Sequence, residues 1–264
     1  MERSCIEIIG ATIGYGTSGG RVVAKDINAT LHGGELVSLI GRNGCGKSTL
    51  FKTLTGFLPL LEGQILLDGK GIEDYSIQQR ARHLSMVTTN ARPAHDMTVF
   101  ELAALGRSPY TGFWGTLGSN DREIVAESLR KVGMEKYMDR MAATLSDGEL
   151  QKVMIARAIA QETPTIILDE PTSFLDYPSK VQTMQLLSRL AHESGRAVLL
   201  STHDLEQALR FSDRIWLIDS TCANGTDPET RRKSSGCISS AISRMARASG
   251  SATCGCLSLD VCPY

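Results

Sequence analysis

A glycine-rich segment at residues 41–48 constrains the fold of this chain more than any other feature of the sequence. It reads GRNGCGKS and matches the pattern G-x-x-x-x-G-K-[ST]. An apolar run at 36–40 precedes it, and a helical pattern begins near Lys47. A strand, such a loop and a helix in succession form a phosphate-binding arrangement, so we expect an α/β fold around a parallel sheet. A glycine-rich turn without a ligand is the alternative, and the full motif in this context disfavours it.

The residue types of this loop suit the binding of a triphosphate. Its glycines let the backbone bend so that successive N–H groups point into one concave anion site. Lys47 supplies a positive charge for the β- and γ-phosphates, the Ser48 hydroxyl is a potential ligand for Mg²⁺, and the helix start adds its positive end. The predicted ATP-binding residues of this segment are Gly41, Arg42, Asn43, Gly44, Cys45, Gly46, Lys47, Ser48 and Thr49.

A second motif places two carboxylates at the end of a predicted buried strand. The apolar run at 165–168 is followed directly by Asp169 and Glu170. Ligands bind at the carboxyl ends of parallel strands, so both acids should lie beside the phosphate loop. We predict that Asp169 holds Mg²⁺, directly or through water, and that Glu170 orients or deprotonates the attacking water. Alone, this motif could be a strand end capped by solvated acids; together with the loop it predicts a P-loop NTPase core.

Short apolar runs and helical patterns alternate through the rest of the folded body. Residues 92–145 are predicted to form an inserted helical segment, in which Asp121 starts a helix. The predicted capping boxes are Thr98 with Glu101 and Ser146 with Glu149. The predicted strands lie at 6–9, 22–27, 36–40, 64–67, 165–168 and 197–200.

The composition changes near residue 220, where we place a domain boundary. Residues 220–264 contain nine serines and five of the seven cysteines, with no sustained period. We predict that this tail is disordered, and the segment 237–248 is the one stretch whose pattern allows a short helix.

Charge and hydropathy exclude several classes of protein. Lys and Arg together number 28 against 29 for Asp and Glu, which gives a net charge of −1 and no field to attract nucleic acid or anionic lipid. No apolar run approaches the roughly 18 residues of a membrane span, and the N-terminus lacks the pattern of a secretory signal. We therefore expect neither a membrane-spanning nor a secreted protein. Two cysteines before the tail fit a reducing compartment, and a zinc site is not expected.

A third segment lies between the two phosphate motifs, and with it the chain resembles the ATP-binding cassette family. Residues 145–151 read LSDGELQ and are similar to the family's LSGGQ signature; the resemblance covers residues 4–219. It implies a P-loop NTPase core with a parallel sheet, an N-terminal antiparallel β subdomain and an inserted α-helical subdomain. It also implies that two copies clamp two ATP molecules with Mg²⁺, head to tail. The residues that would act on the partner's ATP are Ser146, Asp147, Gly148 and Glu149.

Two of these signature positions depart from the family pattern. Asp147 stands where the family has a glycine, and Glu149 where it has a glutamine. Two acids beside a triphosphate are unfavourable unless both point away from it.

The resemblance assigns roles to four further residues. Asp176 belongs to a segment similar to the D-loop, which crosses the dimer seam, and His203 corresponds to a histidine that contacts the γ-phosphate and positions water. Tyr15 lies where the family has an aromatic ring stacked on adenine; a surface tyrosine is its alternative. Thr89 stands where the family has a glutamine that serves Mg²⁺ and senses the membrane partner. Its shorter side chain should tune coupling or turnover rather than abolish it.

The segment 96–114 is similar to importer ATPases for iron chelates, haem and cobalamin. This implies an ATPase subunit bound peripherally at the cytoplasmic face of the plasma membrane. Its implied partners are a second copy of itself, separate permease subunits and, indirectly, a periplasmic or surface binding protein, with no nucleic acid. Tyr110, Phe113 and Trp114 either form a docking patch for the permease or pack inside the helical subdomain.

Two other functions remain open at this point. One is a soluble ABC ATPase acting on DNA ends or ribosomes, although the chain has neither a long coiled-coil insertion nor a second cassette. The other is a weakly hydrolysing regulatory subunit, which Thr89 and the unusual tail allow. The tail departs from the way such importer ATPases continue, and we interpret it as aberrant. The sequence identifies neither the cargo nor the permease.

Overall fold

The computed structural model describes residues 4–16, 21–88, 96–112 and 115–218, together with the backbone of 238–242. The strands are β1 (Ser4–Tyr15), β2 (Arg21–His32), β3 (Leu36–Ile40), β4 (Glu62–Leu67), β5 (Lys70–Gly71), β6 (Leu84–Val87), β7 (Thr165–Leu168), β8 (Ala197–Thr202), β9 (Arg214–Ile218) and β10 (Ile238–Ile242). The helices are α1 (Lys47–Leu54), α2 (Ile77–His83), α3 (Val99–Ala104), α4 (Ser119–Lys131), α5 (Asp147–Ala160), α6 (Tyr177–Ser194) and α7 (Leu205–Phe211).

A six-stranded sheet forms the centre of the molecule, in the order β10-β9-β3-β8-β7-β6. The pairs from β9 to β6 are parallel, and β10 lies antiparallel on β9. Strands β7 and β8 are buried along their whole length, and β3 is buried except at its last residue, because β1, β2 and α1 cover one face and helices that include α5 and α6 cover the other. The continuous apolar runs of these strands reflect that double burial, and the predicted parallel sheet is confirmed.

A second, antiparallel sheet lies on the N-terminal side, in the order β2-β1-β4-β5. One face of β1 is buried, and Ile6 and Ile8 pack in the same cluster as Leu50 and Phe51 of α1. This arrangement confirms the predicted N-terminal antiparallel subdomain. It also fixes the end of β1 close to the helix that follows the phosphate loop.

Helices α3 and α4, which lie between β6 and α5 in the chain, pack on α5 in an apolar cluster that also includes residues of the central sheet and of α6. The capping box of Thr98 and Glu101 is present as predicted. Asp121, however, is not the first residue of its helix: α4 begins at Ser119, and the Asp121 carboxylate accepts a hydrogen bond from the Gly118 N–H. An acid at the third helical position accepts from the N–H of the cap residue, whereas an acid at the cap accepts from N–H groups of the first turn. Both stabilise a helix start, so the sequence pattern alone did not separate the two.

Buried Arg107 joins this helical segment to the rest of the domain. Its guanidinium pairs with Asp121 at 2.9 Å and donates to Glu162 and to the Ala160 carbonyl oxygen, both at 2.8 Å. The Arg107 guanidinium also lies 4.2 Å from the centre of the Tyr110 ring. Tyr110 is therefore packed partly against this junction, while Phe113 and Trp114 lie outside the described residues.

Part of the tail is ordered against the central sheet. Ile238 pairs with Ile218, and the register continues antiparallel to Ile242 opposite Arg214. A strand therefore occupies 238–242, and the short helix considered for 237–248 is wrong there. The rest of the tail lies outside the described residues, so its predicted disorder and the boundary near 220 remain predictions.

Within the described ranges, no helix has the length and apolar character required to cross a membrane.

Candidate nucleotide-binding site

The loop between β3 and α1 has a backbone that only glycines permit. Gly46 has a φ of 108°, in the left-handed region, and a side-chain carbon there would lie 2.6 Å from Val23 Cγ1. A side-chain carbon at Gly41 would lie 2.6 Å from both the Ile218 carbonyl oxygen and Cys45 Sγ. The loop is thus closely packed against β2 and β9, which leaves its curvature little freedom.

Lys47 places its ammonium group within the curve of the loop. The side chain is buried, and Nζ donates to the carbonyl oxygens of Gly41 at 2.7 Å and Arg42 at 3.3 Å. An ammonium group has three N–H donors, so one remains for a phosphate oxygen without any rearrangement. Cys45 is buried beneath the loop, as expected of a spacer rather than a reactive thiol.

This loop forms one wall of a cleft of about 780 Å³. Most of the predicted ATP-binding residues line the cleft, and both predicted catalytic residues do. Gly41, Arg42 and Cys45 are not among the lining residues: Cys45 is buried, Gly41 is partly buried and Arg42 is exposed outside the cleft. The lining residues are Tyr15, Arg21, Val22, Val23, Asn43, Gly44, Gly46, Lys47, Ser48, Thr49, Glu170 and His203.

The start of β2 belongs to the cleft, which the sequence analysis missed. Arg21 pairs with Tyr15 across the hairpin of β1 and β2, so the two residues reach the cleft together. The hairpin was the available signal: once Tyr15 is placed at the site, its partner across the turn follows. The Tyr15 hydroxyl lies 3.1 Å from Thr49 Oγ1, which fixes the ring beside the first turn of α1.

A hydrogen-bonded chain joins the ends of β7 and β8. Ser201 Oγ donates to Asp169 Oδ1 at 2.6 Å and accepts from the Glu170 N–H at 2.9 Å. Glu170 has a φ of 48°, a left-handed conformation that is costly for a residue with a side chain. This turn separates the two successive acids, so that Asp169 and Glu170 do not share one position. The sequence analysis did not identify Ser201, whose role depends on β8 lying next to β7.

Glu170 and His203 lie next to each other, after the ends of β7 and β8. Glu170 Oε2 lies 3.8 Å from His203 Nδ1 and accepts a hydrogen bond from Ser173 Oγ at 2.9 Å. The His203 side chain is 58 % exposed, so the pair faces the open part of the cleft. A carboxylate held by one hydroxyl and open to water on its other side can orient a water molecule or accept its proton.

The oxygen groups near the loop are compatible with a metal ion bound together with phosphate. Within the described ranges, no group of three His, Cys, Asp or Glu side chains could hold a metal ion alone. Mg²⁺ needs only one or two protein ligands when phosphates and water supply the others. Ser48, which lines the cleft, and Asp169, which is bonded to Ser201 and is not among the lining residues, are oxygen ligands of the right kind. Thr89 lies outside the described residues.

The signature segment does not line this cleft. Ser146 is the N-cap of α5: its Oγ accepts from the Glu149 N–H at 3.3 Å, and Glu149 Oε2 accepts from the Ser146 N–H and hydroxyl, both at 2.9 Å. These hydrogen bonds from Ser146 lower the pKa of the Glu149 carboxyl. The predicted capping box is therefore confirmed. Ser146 and Asp147 are exposed, while Gly148 lies against Leu175.

Asp176 also acts as a helix cap. Its carboxylate accepts a hydrogen bond from the Ser179 N–H at 3.1 Å at the start of α6, and hydrogen bonds from Ser179 lower the pKa of the Asp176 carboxyl. The side chain is exposed and absent from the cleft lining.

Comparison with known proteins was made by sequence and by structure. A family model described as "ABC transporter" matches residues 24–173. The iron(3+)-hydroxamate import ATP-binding protein FhuC of Bacillus subtilis is 40 % identical over 200 residues, which cover 76 % of this chain and 73 % of that protein. The ferric enterobactin transport ATP-binding protein FepC of Escherichia coli is 36 % identical over 204 residues, which cover 77 % and 74 % respectively.

A solved ATP-binding cassette also shares the fold. It is a dimer in a post-hydrolysis state with ADP and Pi bound, and it is 26 % identical to this chain with a TM-score of 0.74. The match covers 90 % of this chain and 99 % of the solved one.

Proposed function

This chain belongs to the ABC transporter family, and on that premise we propose that it is the ATP-hydrolysing subunit of an importer for an iron chelate, haem or cobalamin. The observation that carries the proposal is the convergence of Lys47, Glu170 and His203 on one cleft. The first suits phosphate binding and the other two suit activation of water. Such a set supports hydrolysis rather than nucleotide binding alone.

In the proposed reaction, the triphosphate lies along the phosphate loop and the adenine stacks on Tyr15. Glu170 orients the attacking water or takes its proton, and Ser173 holds the carboxylate in place. His203 contacts the γ-phosphate from the exposed side of the cleft. Ser48 and Asp169 would hold Mg²⁺, which neutralises charge on the β- and γ-phosphates.

The same chain is proposed to work as a head-to-tail dimer. Ser146 is exposed and lies outside its own cleft, so its helix start is free to meet the phosphates of a second copy. Phe174, beside Asp176, is 63 % exposed, and Tyr177 and Leu205 also expose large apolar surfaces. A second copy covering this surface would remove it from water.

An apolar groove of about 300 Å³ is the proposed docking site for the permease. At its edge Phe57 is 78 % exposed and Ile77 is 80 % exposed, which is unfavourable unless a partner covers them. Leu84 and Met86 of β6 form part of its wall. In the sequence, Thr89, the proposed metal-sensing position, comes two residues after the end of β6.

The two relatives named above are import or transport proteins for ferric hydroxamates and enterobactin, which supports an iron chelate as cargo. The proposed location is the cytoplasmic face of the plasma membrane, where the permease holds the subunit by protein contact. A binding protein on the outer side would deliver the cargo to that permease. Uptake of a labelled ferric chelate by cells with and without this chain tests the cargo class; haem and cobalamin are the competing substrates.

Glu170→Gln tests the enzymatic proposal. Loss of the general base should reduce kcat by a factor of about 10² to 10⁴ and leave an ATP-bound dimer that accumulates. Glu193→Gln, an equal substitution at an exposed site at the end of α6, is the matched control and should leave kcat unchanged. A weakly hydrolysing regulatory subunit would instead show low turnover throughout, with no difference between the variants.

A further inference from the structure

In the first turn of α5, the hydrogen-bond donors of Ser146 are bound by the side chain of Glu149, a residue of the same turn. Glu149 Oε2 accepts from both the N–H and the hydroxyl of Ser146, each at 2.9 Å. A serine hydroxyl has one proton and two acceptor positions. While that proton is donated to Glu149, the hydroxyl can accept hydrogen bonds but cannot donate one to a phosphate oxygen.

The Glu149 carboxylate therefore occupies the donors that an approaching phosphate oxygen would need. Both groups are anionic oxygen acceptors, and both are favoured at a helix start. We propose that Glu149 competes with the partner copy's γ-phosphate for the Ser146 hydroxyl proton, so that closure of the dimer requires this hydrogen bond to break. The inference rests on the proposed function, in which Ser146 meets ATP bound to a second copy.

Arg140 is the positioning residue for this exchange. Its Nη1 lies 3.6 Å from Glu149 Oε1, the carboxylate oxygen that Ser146 does not use. Two contacts to Thr144 fix the guanidinium: Nε donates to Oγ1 at 2.9 Å and Nη2 to the carbonyl oxygen at 2.6 Å. Arg140 thus holds a charge partner ready when Glu149 releases Ser146, and reduces repulsion between that carboxylate and the triphosphate.

Asp147 provides a matched control in the same turn of helix. It carries the same charge as Glu149 and is exposed, and no hydrogen bond or ion pair to it occurs within the described part of the chain. Asp147→Asn and Glu149→Gln each remove one negative charge beside the proposed phosphate site. Only the second also weakens the hydrogen bond that holds the Ser146 hydroxyl, because a neutral amide oxygen replaces the carboxylate, and glutamine still completes a capping box, so the helix start is retained.

The experiment measures the concentration of Mg-ATP that gives half-maximal dimer by sedimentation velocity, with Glu170→Gln in every chain. Glu149→Gln should lower this concentration about fivefold more than Asp147→Asn does, because a hydrogen bond to a charged acceptor is replaced by one to a neutral acceptor. At about 1 M salt, where the screening length is about 3 Å, the effect of Asp147→Asn should vanish and that of Glu149→Gln should remain.

The variant Arg140→Gln tests whether Arg140 acts through Glu149 or only supports the local structure. It should raise the required Mg-ATP concentration about fivefold when Glu149 is present, and have no effect in the Glu149→Gln background. Two results would overturn the inference while leaving the proposed dimer intact. One is an equal effect of Glu149→Gln and Asp147→Asn; the other is an effect of Arg140→Gln that is the same with and without Glu149→Gln. If the parent chain stays monomeric at saturating Mg-ATP, the proposed dimer is itself wrong and the inference falls with it.

Discussion

The nucleotide cleft and the first turn of α5 both present the start of a helix to solvent, but their polar groups are arranged in opposite ways. In the cleft, Lys47 at the start of α1 and Glu170 after the end of β7 come from distant parts of the chain and face a common space. At α5, Ser146 and Glu149 bind each other and leave little hydrogen-bonding capacity unused. The polar groups of the cleft come from distant segments and remain available to a ligand. The polar groups within the single turn of α5 are already hydrogen-bonded to one another. This turn becomes a ligand site only if something stronger displaces the internal contact.

The largest expected effect is a loss of nucleotide affinity when the cleft is altered at Lys47. Lys47→Ala removes the buried ammonium and its charge-assisted hydrogen bonds to phosphate, so the affinity for Mg-ATP should fall about 100-fold in calorimetry. Lys52→Ala, which removes an exposed ammonium from the same helix, should leave the affinity unchanged. Equal binding by the two variants would mean that nucleotide does not use this loop.

A smaller effect tests whether the cleft depends on contacts between strands. Ser201→Ala removes the hydroxyl that binds both Asp169 Oδ1 and the Glu170 N–H, so kcat should fall about tenfold and the Mg²⁺ concentration for half-maximal rate should rise. Ser194→Ala, at the exposed end of α6, is the control for the loss of a serine. An unchanged Mg²⁺ requirement would show that Ser201 does not position the acids.

The smallest expected effect is a change in Tm that depends on pH, and it concerns the capping box of Ser146 and Glu149. Hydrogen bonds from Ser146 lower the pKa of the Glu149 carboxyl, and Thr98 acts in the same way on Glu101. A carboxyl whose pKa is lowered in the folded protein contributes stability at pH values above its ordinary pKa of 4.5. That contribution is lost as the pH falls through the lowered pKa. Glu149→Gln should therefore lower Tm by about 2 °C at neutral pH and by less in acid.

The Thr98–Glu101 box gives the matched comparison for that measurement. Glu101→Gln changes an identically built cap at the start of α3, a helix that is not proposed to meet phosphate. Its effect on Tm should have the same sign and add to that of Glu149→Gln. Only Glu149→Gln should alter ATP-dependent dimerisation, and a matching change with Glu101→Gln would remove the distinction between the two caps.

Much of the site could be predicted from the sequence because its key elements are local. The glycines and Lys47 lie within eight residues, and the acids directly follow a strand, so short spacing already predicts the chemistry. The position of Asp121 within its helix could not be predicted as well, because a carboxylate stabilises a helix start both at the cap and at the third position, through different N–H groups. The edge strand at 238–242 was missed, since its pairing with β9 depends on a distant segment rather than on an alternating pattern of its own.

The sequence by itself determined the phosphate loop, the strand-end acids and the capping boxes, because each arises from residues a few positions apart. Only the tertiary structure decided that Ser201 anchors Asp169, that Arg21 reaches the cleft beside Tyr15, and that His203 faces Glu170. Those contacts depend on which strands lie side by side and in what register. Strand pairing is set by burial of both faces of the whole sheet, a property that no short segment carries.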